Sequence, residues 1–220
     1  MAPRAARAHS MTLQQARQAG ADLFGLASGR LERTSTFAAM VIDVVYETHS
    51  TSEDNERGIA SGWAHSRLSP RGREQDGALG DRRRDDGVDV VFCSDLRRAV
   101  ETAEIAFAGS AIPVLLDWRQ RECDYGTETQ SPVETHHAGR CSHIDVPYPE
   151  GESWRGAVQR VGRFLDNLPF RWDGGRVLLV GHVATRWALD HLVNGAPLAE
   201  LCDADFAWQG GWEYRLQPLG

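Results

Sequence analysis

The stretch "VIDVVYETHS", residues 41–50, is a run of apolar and β-branched residues that ends in polar residues and a histidine. Three more apolar runs follow, at 88–93 ("VDVVFC"), 112–116 ("IPVLL") and 176–181 ("RVLLVG"). Segments with helical spacing separate these runs, as in "RGREQDGALGDRRR" at 71–84. Short apolar strands that alternate with helices are typical of a parallel sheet buried on both faces. We therefore predict an α/β fold with a mostly parallel central sheet flanked by helices.

The composition is that of a globular chain with an acidic balance. The 220 residues are 41% hydrophobic and 25% charged, which is enough to bury one core, and the formal net charge is -7. This charge argues against nucleic acid or an anionic membrane surface as a partner. The sequence holds neither a long apolar run nor the pattern of a secretory signal, so we expect a cytoplasmic protein.

Residues 1–39 differ in composition from the rest of the chain. They are rich in Ala, Arg and Gly and contain no acidic residue before Asp22. We interpret them as an N-terminal extension, either a helical arm or a partly disordered segment. Translated sequence upstream of a start at Met40 is a further alternative. The main domain is then expected over residues 40–220.

The four cysteines, Cys93, Cys123, Cys141 and Cys202, are far apart in the sequence and form no CxxC pair. A disulfide framework is typical of small secreted domains, and this chain is longer than those. We therefore expect free thiols.

Polar residues follow several of the predicted strands. His49 follows the first strand, and His182 follows "RVLLVG". Parallel strands end at the same edge of a sheet, so both histidines are expected in one crevice at that edge. Ser94 and Asp95 follow "VDVVFC" and are expected to cap a helix that carries Arg98. A helix N-terminus with an arginine in its first turn favours an anion.

Six motifs with defined spacing extend this pattern along the chain: "THSTSEDN" (48–55), "SRLSPRGREQ" (66–75), "SDLRRAVETA" (94–103), "RECDYG" (121–126), "YPEGESW" (148–154) and "LLVGHVATRWAL" (178–189). In this order they resemble the motifs of the histidine phosphatase superfamily, also called the phosphoglycerate mutase-like fold, over roughly residues 41–214. The resemblance is closest to its small phosphatase branch. It implies a three-layer sandwich.

The resemblance also implies an activity, a metal-independent hydrolysis of phosphomonoesters through a phosphohistidine intermediate. His49 matches the nucleophile of the family, and Glu122 falls where the family carries its acidic proton donor. Arg98, His182 and Asn55 match residues that neutralise phosphate oxygens. The expected partner is a small phosphorylated substrate, and no cofactor or metal is required.

The opening motif departs from the family's Arg-His-Gly, because Thr48 stands in place of the arginine and Ser50 in place of the glycine. A charge-assisted hydrogen bond to phosphate is worth about 1.5–3 kcal/mol, so an active enzyme needs a replacement for the missing guanidinium. Arg186 lies four residues after His182, on the same face of the predicted helix, and is our first candidate. Arg57 is the second. With Thr48 and Ser50, these arginines complete the expected phosphate site.

Several alternatives stay open at this stage. The missing arginine favours a phospholigand-binding pseudoenzyme, whereas a mutase-type phosphotransferase is less favoured because only about sixty positions separate Glu122 from His182. Glu122 is alternatively an ion-pair partner of Arg119 or Arg121. The natural substrate and the choice between monomer and homodimer are not fixed by the sequence.

The remaining aromatic and histidine-rich segments are interpreted more simply. The loop "HHAGRCSH", 136–143, is predicted to be a solvated loop beside the substrate rather than a zinc site. We expect Trp63 and Trp154 to form pocket walls because they lie beside motifs. Trp208 and Trp212 are predicted to be structural.

Overall fold

The computed structural model of the chain describes residues 40–219, so the predicted N-terminal extension lies outside the described residues. The described chain forms seven strands: β1 (Ile42–Thr48), β2 (Ile59–Ala60), β3 (Val90–Cys93), β4 (Val114–Leu116), β5 (Ser131–Pro132), β6 (Arg176–Gly181) and β7 (Trp212–Leu216). Its α-helices are α1 (Glu53–Glu56), α2 (Pro70–Arg83), α3 (Arg97–Ala106), α4 (Val133–Gly139), α5 (Trp154–Leu165), α6 (Leu168–Trp172), α7 (Val183–Leu192) and α8 (Leu198–Asp203). Short 3-10 helices cover Trp118–Gln120, Gly126–Glu128 and Arg140–His143.

Five strands form the central sheet in the order β4-β3-β6-β1-β7. The pairs β3–β4, β3–β6 and β1–β6 are parallel, whereas β7 runs antiparallel to β1. This confirms the predicted sheet, including all four strands identified from the sequence. The edge strand β7 and the small antiparallel sheet of β2 with β5 were not predicted.

Alternate residues of the central strands face two separate cores. Val44 and Tyr46 belong to a core shared with α5 and α7. Val45 faces the other way, into a core that includes Leu79 of α2 and Ala103 of α3. Helices therefore cover both faces of the sheet, and the three-layer sandwich is confirmed. The strands read as continuous apolar runs because both of their faces are buried.

Local signals set the starts of the two longest helices. The Ser69 hydroxyl accepts a hydrogen bond from the Gly72 backbone N–H at the start of α2, where Pro70 occupies the first helical position. Ser153 caps α5 in the same way, through the Gly156 N–H. Both helices thus begin at residues that satisfy N–H groups the helix itself leaves unpaired.

The expectation of free thiols is wrong for two of the four cysteines. Cys141 and Cys202 form a disulfide, with their Cα atoms 5.4 Å apart, whereas Cys93 and Cys123 are buried free thiols. Sequence spacing did not reveal the bond because its partners are 61 positions apart and meet only through the fold. Within residues 40–219, no helix has the length and apolar character needed to cross a bilayer.

One glycine allows α2 to approach the segment that follows β1. A Cβ atom on Gly72 would lie 2.1 Å from the Thr51 carbonyl oxygen, which is far inside van der Waals contact. The same helix also contains Gly77, where an added Cβ would meet nothing within 4 Å. The two positions therefore separate the effect of close packing from the effect of helix propensity.

We predict that Gly72→Ala lowers the free energy of unfolding by about 1–3 kcal/mol, because Thr51 and α2 must move apart. Gly77→Ala is the matched control and should raise the same quantity by up to about 1 kcal/mol through helix propensity. Urea unfolding of both variants measures the difference. Equal effects of the two substitutions would contradict the close approach.

Candidate active site

The site lies where β1 and β6 end side by side. These strands pair in parallel, with Thr48 opposite Gly181, and the His49 N–H extends the ladder by donating to the Gly181 carbonyl at 3.0 Å. The chain therefore leaves both strands at the same edge of the sheet, and His49 and His182 both lie there. Their ring centroids are 5.0 Å apart. The predicted convergence of the two imidazoles is present.

Hydrogen bonds fix the tautomer and the direction of the His49 ring. Its Nδ1 lies 2.8 Å from the Ser50 carbonyl oxygen, which can only accept, so Nδ1 carries the proton. The other ring nitrogen, Nε2, accepts a hydrogen bond from Arg98 Nε at 3.2 Å. Nε2 thus holds a lone pair directed at the guanidinium.

His182 is the N-cap residue of α7 and is almost fully buried. Its Nε2 lies 2.5 Å from the Ser94 hydroxyl, and its carbonyl accepts from the Tyr46 hydroxyl at 2.8 Å. The buried Nδ1 has no hydrogen-bond partner among the described residues. A buried polar atom of this kind is costly unless a ligand or solvent satisfies it.

Ser94 and Asp95 do not cap α3, which corrects the sequence-based expectation. The helix begins at Arg97 with Leu96 as N-cap, and no side chain caps it. The Ser94 hydroxyl is directed at His182, and the Asp95 carboxylate forms an ion pair with Arg121. Both side chains bind groups that are distant in the sequence, so the local pattern does not reveal their partners.

Arg98 lies in the first turn of α3, as predicted, and is 2% exposed. Its two terminal nitrogens donate to the backbone carbonyls of Ala64 and Gly62, at 3.1 and 2.9 Å. These contacts hold the guanidinium plane beside His49. The neighbouring Arg97 instead pairs with Glu101 on the exposed side of the helix.

Glu122 is buried in the same cavity as His49 and Arg98. Its carboxylate accepts backbone N–H groups of Val183 and Ala184, at 3.2 and 3.0 Å, at the N-terminus of α7. Arg119 and Arg121 pair with aspartates. The alternative that they neutralise Glu122 is therefore wrong.

Burial sets the protonation states of these groups. Burial and the Arg98 charge lower the pKa of His49 to about 3, and the same causes lower the pKa of His182 well below its usual value. Both imidazoles are therefore neutral near neutral pH. Burial raises the pKa of Glu122, against the opposing effect of its backbone hydrogen bonds and Arg98. A carboxyl with a raised pKa can carry a proton that two neutral imidazoles cannot supply.

Thr48, Ser50 and Asn55 line the cavity together with His49. The Ser50 N–H donates to the Thr102 hydroxyl at 3.0 Å, which ties this segment to α3. The Asn55 side-chain oxygen accepts from the Ser52 N–H at 3.0 Å in a capping box at the start of α1. The Asn55 oxygen is thus already engaged, and only its amide N–H₂ remains for a ligand.

The two arginines expected to replace the missing guanidinium lie elsewhere. Arg186 pairs with Asp190 at 2.6 Å, and its guanidinium stacks over the Trp212 ring at 4.2 Å. Arg57 is bound to Asp54 and is largely exposed. Neither lines the cavity. Helical spacing placed Arg186 on the face of His182 correctly, but a nearby carboxylate and indole draw its long side chain away.

The cavity is also lined by residues that were not predicted to belong to it. Arg71, Gln75, Leu79 and Arg82 recur at helical spacing and present one face of α2 to the cavity. That periodicity was the signal available in the sequence. Arg82 is bound to Glu47 by two nitrogens, at 3.0 and 2.8 Å. Arg71 has no ion-pair partner in the described part of the chain.

Asp76 is a further buried acid close to the site. It is fully buried on α2, and burial raises its pKa to about 6, opposed by the Ser50 and Thr102 hydroxyls. Nothing in the sequence distinguishes it from the exposed acids of the same helix.

The aromatic predictions are largely wrong. Trp154 is buried in the core, and the Trp63 indole N–H donates to the Glu122 carbonyl, so neither lines the cavity. Trp208, predicted to be structural, lines the cavity and is 64% exposed.

The segment predicted as a solvated loop is helical, and it places His136 and His137 on the cavity wall. Within residues 40–219, no three His, Cys, Asp or Glu residues are grouped to hold a metal ion.

Similar proteins were found by sequence and by structure. A 2,3-bisphosphoglycerate-dependent phosphoglycerate mutase of Haemophilus influenzae (strain PittEE) is 27% identical over 203 residues, covering 74% of this chain and 89% of the relative. The YhfR structure of Bacillus stearothermophilus superposes with a TM-score of 0.68 at 25% identity, covering 77% and 88% of the two chains. The mycobacterial glucosyl-3-phosphoglycerate phosphatase shares the fold, with a TM-score of 0.65 at 22% identity, covering 74% and 84%.

A family model matches most of the described part of the chain. The model described as "Histidine phosphatase superfamily (branch 1)" matches residues 48–207, which is well over half of the chain. The match begins at Thr48 and includes His49, Arg98, Glu122 and His182. The chain therefore belongs to the histidine phosphatase superfamily.

Proposed function

We propose that the chain is a metal-independent phosphomonoester hydrolase that works through a phosphohistidine at His49. The observation that carries the proposal is the group of His49, His182, Arg98 and Glu122 at one edge of the sheet, with both imidazoles neutral. Superfamily membership and the phosphatase among the similar structures support the hydrolase.

In the first step, His49 Nε2 attacks phosphorus, and the bond between phosphorus and the alcohol oxygen breaks. Nδ1 donates to the Ser50 carbonyl, which stabilises the positive charge that develops on the ring. Arg98 shifts its Nε donor from His49 to a phosphate oxygen. Protonated Glu122 gives its proton to the departing alkoxide, so a neutral alcohol leaves.

In the second step, water attacks the phosphohistidine, and Glu122, now ionised, accepts its proton. The bond between phosphorus and Nε2 breaks, which returns His49 to the neutral form and releases inorganic phosphate. The unpartnered Nδ1 of buried His182 is a further candidate to bind a phosphate oxygen, because a proton on that nitrogen would have no other acceptor in the described chain. These roles use only side chains that are present in the cavity or border it.

Two other functions have specific observations in their favour. The curated relative named as a phosphoglycerate mutase favours phosphoryl transfer to a second hydroxyl group instead of water. The threonine at position 48 favours a binding protein without turnover, because the family has an arginine there. Both are outcomes of the experiments below.

We predict that wild-type protein releases inorganic phosphate from an activated aryl phosphate in the presence of EDTA, and that His49→Ala abolishes this rate. Phosphate trapped on the protein should be acid-labile and base-stable, as phosphohistidine is. Exposed His65 supplies the matched control, so His65→Ala should retain the activity. Equal background rates in wild type and His49→Ala would support the binding protein. Phosphate transfer to an added alcohol without release would support the mutase.

We predict that Glu122→Gln separates the two steps. With an activated aryl phosphate, whose phenolate leaves without a proton, the variant should release a burst of one equivalent per site and then turn over slowly. With an alkyl phosphate its rate should fall by about 10²–10⁴, because the alkoxide needs the acid.

The pH dependence of the rate tests whether Glu122 acts in its protonated form. The wild-type rate on the alkyl ester should fall as the pH rises through the raised pKa of Glu122, since the acid must be protonated. Glu122→Gln should lack that basic limb. An unchanged pH profile in the variant would assign the proton to another group.

We predict which guanidinium groups bind phosphate. Arg98→Ala should weaken inhibition by inorganic phosphate by roughly ten- to a hundredfold, from the loss of charge-assisted hydrogen bonds. Arg71→Ala should also weaken it, because Arg71, like Arg98, lines the cavity and has no ion-pair partner among residues 40–219. Arg186→Ala and the exposed control Arg97→Ala should leave phosphate inhibition unchanged. A loss confined to Arg186→Ala would restore the sequence-based assignment.

A further inference from the structure

The cavity is much larger than one phosphate group. Its volume is about 630 Å³, within the roughly 300–1,000 Å³ that is typical of pockets for drug-sized ligands. His49, Arg98 and Glu122 occupy only part of its wall. The remaining space must accommodate the alcohol portion of a phosphate ester, which is the part that differs from one substrate to another.

The wall beyond the phosphate site is largely apolar. Apolar members of this wall come from four separate segments of the chain: Ile59, Ala60, Leu79, Val133, Phe206 and Trp208. Phe206 and Trp208 are 42% and 64% exposed, which is unusual for large aromatic side chains that serve only packing. Exposed aromatic rings at the mouth of a cavity provide flat surfaces for a second ring.

Two of the polar side chains of the same wall are engaged within the protein. The Gln75 side-chain oxygen accepts from both the N–H and the hydroxyl of Thr51, each at 2.9 Å. Arg82 is bound to Glu47. These contacts leave fewer polar groups free for the hydroxyl groups of a sugar or a small polyol, whereas His136 and Arg71 of the same wall have no such partner among residues 40–219.

The segment that carries the aromatic rings is anchored at its base. The disulfide joins Cys202 to Cys141, and Arg140 donates to the carbonyls of Cys202 and Ala204 at 2.5 and 2.7 Å. Phe206 packs on Trp212, with ring centroids 5.9 Å apart. The base of the segment and the Phe206 ring are thus held in place before any ligand arrives, which reduces the conformational entropy lost on binding.

We infer that the site selects phosphate esters of bulky aromatic alcohols, with Trp208 and Phe206 as the residues that determine this specificity. The inference rests on the proposed function. Naphthylethyl phosphate and ethyl phosphate provide the test, because both release a primary alcohol and differ mainly in the apolar group. Wild-type kcat/KM should be about ten- to a hundredfold higher for the naphthylethyl ester, mainly through KM.

Trp208→Ala should remove most of this preference, because it should lower kcat/KM much more for the naphthylethyl ester than for ethyl phosphate. Phe170→Ala is the matched control, because Phe170 is also 64% exposed and does not line the cavity. It should keep the full preference. Equal kcat/KM for the two esters in wild type, or equal effects of the two substitutions, would overturn the inference.

A binding measurement separates this inference from the proposed function. Calorimetry with His49→Ala protein compares naphthylethyl phosphonate with ethyl phosphonate, neither of which can be hydrolysed. Tighter binding of the naphthylethyl compound, lost in the double variant with Trp208→Ala, supports the aromatic site even if no ester is turned over. Equal binding of the two phosphonates overturns it, whatever the enzyme activity proves to be.

Discussion

The parallel pairing of β1 with β6 is the constraint on which the site depends. Thr48 lies opposite Gly181, and the His49 N–H donates to the Gly181 carbonyl. The two strands therefore end at the same edge of the sheet. A slip of one residue would direct every side chain of β1 to the opposite face. Val44 and Val45 belong to different cores, so each would be misplaced by that slip. The burial of both faces therefore fixes the register, and the register brings the two imidazoles together.

Burial at this sheet edge also explains the chemistry available there. Two imidazoles and a guanidinium lie close together, and an environment with little water favours only one cation among them. Arg98 keeps its charge because its pKa lies far above neutrality, and the histidines are consequently neutral. In the proposed mechanism, burial and the Arg98 charge keep His49 neutral as the nucleophile, and the Arg98 guanidinium binds the phosphate that His49 attacks. Two backbone carbonyls hold Arg98 in this position, and because carbonyls carry no formal charge they do not neutralise the guanidinium.

Sequence reasoning succeeded where a residue's position follows from the backbone. The strands, His49 and His182 at their ends, and Arg98 in the first turn of α3 were all predictable, because apolar periodicity and helical spacing determine them. It failed where a side chain chooses among partners distant in sequence. Arg186 stacks on Trp212, and Cys141 bonds to Cys202, across separations that no local pattern encodes. The place of Trp208 in the cavity wall was not predicted either, because an irregular segment has no periodic pattern from which its conformation follows.

Thr48, where the resemblance to the family led us to expect an arginine, lines the cavity together with charged residues of α2. Glu47, next to Thr48, is fully buried and is bound by both Arg82 and Arg83, so its negative charge is offset by two cations. Asp86 also binds Arg83, so the two carboxylates and the two guanidinium groups of this cluster balance in formal charge. Arg71 lies about three turns away on the same helix face as Arg82, some 16 Å along the helix axis, and has no ion-pair partner in the described part of the chain. Among residues 40–219, the cavity-lining arginines without a carboxylate partner are therefore Arg71 and Arg98, and these guanidinium groups are available to an anionic ligand.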